Sequence, residues 1–154
     1  MRVRETIDGT DRRLLRLLAG DASLPLSDIA AAVGLSPTPC WKRIRRLEQL
    51  GVIRGRVADL DPAKIGLAVS VIVAIETADH SSAWLQRFAG VIEAMPEVVQ
   101  AWRMSGDVDY ILHVVLPDLP AYDDFYRRLI EAVPLRNVTS RFVMERMKNS
   151  PLPV

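Results

Sequence analysis

Four consecutive residues, Gly34-Leu35-Ser36-Pro37, constrain this 154-residue chain more than any other stretch. Glycine takes the left-handed conformation that ends a helix. Serine is a good N-cap, and proline sits well at the first helical position, where its missing N–H costs nothing. One helix must therefore end and another begin within a single tight turn. The incoming helix, from about Ser27 after Pro25 to Val33, has Ile29, Ala30 and Val33 on one face. In the outgoing helix Cys40, Ile44, Leu47 and Leu50 recur at four- and three-residue steps, which predicts a buried stripe. Its opposite face carries Trp41, Lys42, Arg45 and Arg46, and Gly51 stops it. An earlier helix is capped by Asp8 with Asp11, shows Leu14, Leu15, Leu17 and Leu18, and ends at Gly20-Asp21.

Two helices joined by a short glycine-containing turn form a helix-turn-helix. Its mechanism needs a second helix with a buried stripe and a basic outer face that fits the major groove. Both are present. Val52-Ile53-Arg54-Gly55-Arg56-Val57 then reads as two short β-prone pieces around a glycine, a small basic wing able to touch backbone phosphate.

Charge agrees. The net charge is +1, but residues 1–64 carry +4 and residues 65–154 carry −3. Ser36–Arg56 alone holds Lys42, Arg43, Arg45, Arg46, Arg54 and Arg56 against Glu48. A basic cluster on a nearly neutral chain indicates a local polyanion contact, the plain alternative being a solvated helix face. At 49% hydrophobic and 25% charged residues, the composition is that of a globular protein. The strongest apolar run, Gly66–Ile75, has ten residues, about half of a membrane span. The charged start MRVRETIDGTDRR has no apolar signal core, so a soluble cytoplasmic protein without a membrane role is expected. One cysteine and two histidines, His80 and His113, speak against a disulfide and against a metal site.

After Asp61-Pro62 and Gly66 the patterning changes. Ala68–Glu76 reads as an apolar, β-branched strand. His80–Ala94 has helical spacing, with Trp84, Leu85, Phe88, Val91, Ile92 and Met95 as its core face. Val98–Met104 and Tyr110–Leu116 are strands around the hairpin connection Ser105-Gly106-Asp107-Val108-Asp109. Leu119–Ala132 is a helix bearing Tyr122, Phe125, Tyr126, Leu129 and Ile130, and Val138–Met144 is a last strand. The order β-α-β-β-α-β is the ferredoxin-like split βαβ motif. The expected fold is thus α+β: a winged helix-turn-helix (1–60), a hinge (61–66) and a ferredoxin-like domain (67–154).

Ile7–Leu15, Val33–Leu47, Gly51–Arg56, Leu60–Gly66, Gly106–Tyr110 and Lys148–Pro153 together resemble the Lrp/AsnC (feast-or-famine) family of transcription regulators along essentially the whole chain. The segment SPTPCWKRI and the surroundings of Trp84 and Trp102 are most similar to the branch that responds to cysteine. The resemblance implies a winged DNA-binding head, an effector-binding tail that dimerises and commonly assembles into octamers, small amino acids such as cysteine or leucine as effectors, and a bacterial, nucleoid-associated protein that is not an enzyme. Pro134-Leu135-Arg136 departs from the family in lacking the glycine usual after that proline, which implies a reshaped turn.

For DNA the candidates are Ser36, Thr38, Pro39, Trp41, Lys42, Arg45, Arg46, Arg54 and Arg56. Arg45 is the candidate for a base edge, since arginine can be bidentate to guanine. Lys42, Arg46, Arg54 and Arg56 are assigned to phosphate, and Pro39 and Trp41 to a thymine methyl or sugar. Arg43 lies near the buried stripe and reads as structural, and Cys40 as a small core residue. For the effector the candidates are Trp102, Met104, Ser105, Gly106, Asp107 and Asp109. Gly106 lets backbone approach a ligand, and either aspartate can accept hydrogen bonds from an ammonium. On residues alone Asp107 and Asp109 read as turn formers. As a carboxylate pair they also suit acid–base chemistry, but no nucleophile, metal cluster or phosphate loop stands near them. The competing reading is a small ferredoxin-like metabolite-binding protein or enzyme without a regulatory DNA role. Large apolar residues in excess of one small sheet further suggest that one sheet face meets a symmetry mate, through Val69, Val71 and Val73 or through Ser70, Ile72 and Ala74.

Overall fold

The computed structural model describes residues 7–154; the remainder of the charged start, residues 1–6, lies outside them. The chain forms two compact units. One comprises the described residues through Asp59 together with Met147–Val154, and the other is Leu60–Arg146. The domain boundary drawn from sequence ran the second domain to Val154. The last eight residues instead pack with the head, where both Nε and Nη2 of Arg16 donate to the Val154 carbonyl oxygen (3.2 and 2.8 Å).

The head holds α1 (Gly9–Gly20), α2 (Leu26–Val33) and α3 (Pro37–Gln49). Asp8 and Asp11 form a reciprocal capping box on α1, each side chain accepting the other's backbone N–H. Gly34 ends α2 in the left-handed region, at φ +72°. Leu14, Ile29, Ala30, Val33, Cys40 and Ile44 make the core, with Leu17, Leu18, Leu24, Leu26, Leu35 and Ile53 against it. Three details depart from the sequence reading. Ser36 occupies the N-cap of α3 in extended conformation but makes no side-chain cap bond. Leu50, expected on the buried stripe, is 42% exposed. It lies past the last turn, where Gly51 (φ +71°) swings the chain so that Val52 and Ile53 donate back to the Leu47 carbonyl. Val52–Val57 forms no strand: Val52 and Ile53 lie in a bend and the rest is irregular; only Ile53 is held by the core, and Val57 is 93% exposed. A lone two-stranded ribbon has little apolar surface to bury, so the Arg-Gly-Arg sequence gains nothing by pairing with itself.

In the second unit β1 (Val69–Glu76), β2 (Val98–Arg103), β3 (Tyr110–Leu116) and β4 (Asn137–Phe142) form one antiparallel sheet in the order β2-β3-β1-β4. The crossovers are α4 (Ser82–Glu93) and α5 (Leu119–Ala132). This is the expected βαββαβ arrangement. α4 starts later than its periodicity suggested because Ser81 caps it, accepting from the Trp84 N–H. Val71, Val73, Ile75, Leu112 and Val114 pack against Trp84, Phe88, Phe125 and Leu129. Trp84 stacks on Phe88 (centroids 4.9 Å apart), and Tyr110 leans on both. The register resolves the two alternatives for β1: Val71 and Val73 are fully buried in this core, so Ser70, Ile72 and Ala74 lie on the face without helices. The turn at Pro134 needs no glycine. The Trp84 indole donates to the Pro134 carbonyl (3.0 Å), Arg136 donates to Glu76 (2.8 Å), and no described residue other than glycine has positive φ. Residues 61–66, expected as a hinge, form a short 3₁₀ turn (Ala63–Ile65) closed by Gly66 at φ +83°.

Candidate DNA interface and effector loop

α3 is amphipathic because its buried stripe, Cys40, Ile44 and Leu47, recurs at helical spacing. Ser36, Thr38, Pro39, Trp41, Lys42 and Arg45 are consequently all exposed, and Trp41 keeps half of its surface in solvent. The Arg45 guanidinium sits over the Trp41 ring, 5.6 Å from its centroid, and pairs with Glu48 at 3.2 Å. Arg54 and Arg56 are exposed on the segment after α3, and Arg56 reaches Glu48 at 3.9 Å. Between that segment, α3 and the start of α2 runs a groove floored by Leu24, Leu26, Ile29 and Ile44.

The basic residues of α3 divide into two sets. Lys42 and Arg45 face outward. Arg43 and Arg46 turn to the start of α1: Arg43 pairs with Asp8 (2.6 Å) and Asp11 (2.9 Å), and Arg46 with Asp11 (2.5 Å). The structural reading of Arg43 fits this placement. Arg46, assigned to phosphate from sequence, is engaged by a carboxylate with no solvent exposure. No local signal reveals these pairs, because the partners are 32 to 35 residues apart in the chain. Hydrogen bonds from the Asp11 backbone and from Arg43 hold the Asp8 carboxyl down to about 2, and the same pairs raise Arg43 above its ordinary value. Burial pushes the Cys40 thiol up, which disfavours its reactive thiolate.

The second candidate region is the β2–β3 connection. Ser105, Gly106 and Asp107 are exposed, and Gly106 needs its positive φ of +118°. Asp109 is half-buried and already partnered. Its Oδ2 accepts the Thr77 N–H (2.8 Å), its Oδ1 lies 3.7 Å from His80 Nδ1, and its backbone ties Met104 and Ile75 together. Asp109 thus ties the hairpin to the end of β1, and Asp107 is the aspartate open to solvent. Thr77 and His80 join this cluster with no sequence signal beyond lying just after a strand. Met104 borders the loop, 43% exposed. Trp102 stands opposite Ile111 in the register, on the helix-free face rather than in the loop. That face also carries His113, whose Nε2 is 2.8 Å from Ser70 Oγ and whose Nδ1 is 3.3 Å from Gln100 Oε1. Burial, then the nearby Arg146, lowers the His113 pKa.

The profile of a winged helix-turn-helix DNA-binding family matches residues 7–54, and that of the Lrp/AsnC ligand-binding domain matches residues 70–153. The chain is 50% identical over 143 residues to the DNA-binding transcriptional activator DecR of Escherichia coli K12, covering 92% of this chain and 94% of that one. The structure is similar to an AsnC family transcriptional regulator from Agrobacterium tumefaciens: 53% identity, TM-score 0.88, 93% and 94% of the two chains. It is also similar to a feast or famine regulatory protein from M. tuberculosis complexed with L-methionine: 30% identity, TM-score 0.86, 94% and 96%. No helix among the described residues is long and apolar enough to cross a membrane.

Proposed function

The chain belongs to the Lrp/AsnC family of DNA-binding transcription regulators, and from that premise we propose how it reads DNA and senses its effector. α3 enters the major groove. Arg45 reads a base edge, Lys42, Arg54 and Arg56 meet phosphate, and Ser36, Thr38, Pro39 and Trp41 line the approach to sugar and thymine methyl groups. The observation that carries this is the outward, exposed set of Lys42, Arg45 and Trp41 above a buried stripe. Dimers then bind a pseudo-palindrome with half-sites about 10 base pairs, or a multiple, apart. The decisive measurement is operator and random-DNA affinity across a salt series. Lys42→Ala weakens both alike and flattens the slope by about one; an unchanged slope removes α3 from the interface.

The effector is a small amino acid, with cysteine, leucine and methionine the first to test. The relative bound to L-methionine supports this class. It docks at the β2–β3 connection, where the Gly106 backbone and Asp107 are exposed, beside Met104 and Ser105. Asp109 holds that wall in place, and Trp102 flanks it on the sheet. The helix-free face, with Ile72, Ala74, Ile111 and Val115, packs against its symmetry mate, giving a homodimer that assembles further, to an octamer. The protein works in the cytoplasm on the nucleoid and catalyses no reaction. A thermal-shift screen of the twenty amino acids tests the effector, since a ligand of the folded state raises Tm. Asp107→Ala abolishes that shift with basal DNA binding intact. Light scattering that found monomers at micromolar concentration would remove the dimer.

A further inference from the structure

A carboxylate with no solvent exposure inside a small DNA-binding head needs an explanation, because burying a charge is costly unless it is paired and hydrogen-bonded. Asp11 is satisfied from three directions. Oδ1 accepts from Arg43 at 2.9 Å, Oδ2 accepts from Arg46 at 2.5 Å, and Oδ2 also accepts the Asp8 N–H at 3.1 Å. Asp8 adds a second bond to Arg43 at 2.6 Å. Both arginines belong to α3, one turn apart, and about a third of each side chain is still exposed. Their neighbours Lys42 and Arg45 carry the same charge and point outward. What separates the two sets is the pair of carboxylates at the start of α1.

We propose that Asp11 is a specificity-determining positioning residue: by binding Arg43 and Arg46 it withholds two cations of α3 from phosphate and sets the roll of that helix. This rests on α3 being the DNA-reading helix. Phosphate contacts raise affinity for every sequence alike, whereas base contacts require the helix to sit in one orientation. Loosening Arg46 and Arg43, the latter still held by Asp8, would add sequence-independent affinity at the edge of α3 and weaken the brace that orients Arg45. The Asp11 network thus trades affinity for discrimination.

The test measures binding of the full chain to operator and to random duplex DNA at several salt concentrations, with Tm recorded in parallel. In Asp11→Asn the operator-to-random affinity ratio falls about tenfold, the worth of one good base contact, while random-DNA affinity is held or rises and its salt slope steepens. A merely structural role would lower Tm and leave ratio and slope unchanged well below the melting point; that result overturns the proposal. Should Asp11→Asn not fold, Arg43→Gln and Arg46→Gln, at partly exposed positions, answer the same question. Withheld arginines predict an unchanged random-DNA slope with a reduced ratio. A slope flattened by about one per substitution shows that they bind phosphate and refutes the proposal. Lys42→Ala separates the two levels: if it too leaves every slope unchanged, the assignment of α3 has failed, and with it the premise.

Discussion

The two units solve the same problem, holding short elements together, by different means. The sheet unit relies on apolar volume: Trp84, Phe88, Tyr110 and Phe125 fill the space between one sheet face and two helices. The head has no buried aromatic side chain among its core residues and adds a charged brace, Asp8 and Asp11 against Arg43 and Arg46. Apolar packing is insensitive to direction, so it suits a platform. Charged hydrogen bonds are directional, so they fix how α3 is turned against α1.

The largest expected effect tests the platform. Phe88→Ala, which opens a void beneath fully buried neighbours, should cost about 3–5 kcal/mol in urea unfolding. A loss near 1 kcal/mol would mean that the sheet unit is braced by something other than its aromatic cluster. Next comes the reader. Arg45→Ala should reduce operator affinity by roughly 1–3 kcal/mol and relax preference at one base position, with Tm little changed. A large fall in Tm would make Arg45 a structural residue like Arg43. The caps give a smaller, sharper contrast. Asp118 accepts the Ala121 N–H at the start of α5, so Asp118→Ala should cost about 1 kcal/mol. Ser36 makes no such bond, and Ser36→Ala should change stability by less than about 0.5 kcal/mol.

Acid separates the units last. His113 has a lowered pKa, so the unfolded chain binds its proton first. The sheet unit therefore loses stability as pH falls below the ordinary histidine value of 6.5. Asp8 has the same sense in a more acid window. Its folded value of about 2 lies below the ordinary 3.8, so its contribution is fully present above 3.8 and disappears as pH falls through about 2. Trp41 fluorescence in the head should therefore hold to more acid pH than that of Trp84 in the sheet unit, read in single-tryptophan variants. Coincident transitions would show that the units do not titrate separately.

Local chemistry was legible. The Gly34–Pro37 break, the Asp8–Asp11 box and the bounds of β3 and α5 follow from residues within a few positions of each other. What escaped the sequence is set by partners far along the chain. Arg46 reads like Lys42 until Asp11 is placed beside it, and Asp109 reads as a free turn former until its carboxylate meets Thr77. The irregular register between Val98 and Gln100 has no marker either, since no glycine or proline stands there. Val52–Val57 shows the converse: β-prone residues form no ladder where nothing lies across from them. In the candidate DNA interface, exposure of α3 was readable from its periodicity, and which of its cations pair with the start of α1 was not.

The packing of Met147–Val154 with the head makes that unit discontinuous: the polypeptide completes it only after the whole sheet has been built. During synthesis, the three helices emerge first and wait for their final piece. A fragment cut after Asp59 lacks the partner of Arg16 and is an incomplete version of the DNA-binding unit. A reporter fused after Val154 would sit on the head, where a dye or affinity handle meant to be remote from DNA would instead lie on the unit that binds it.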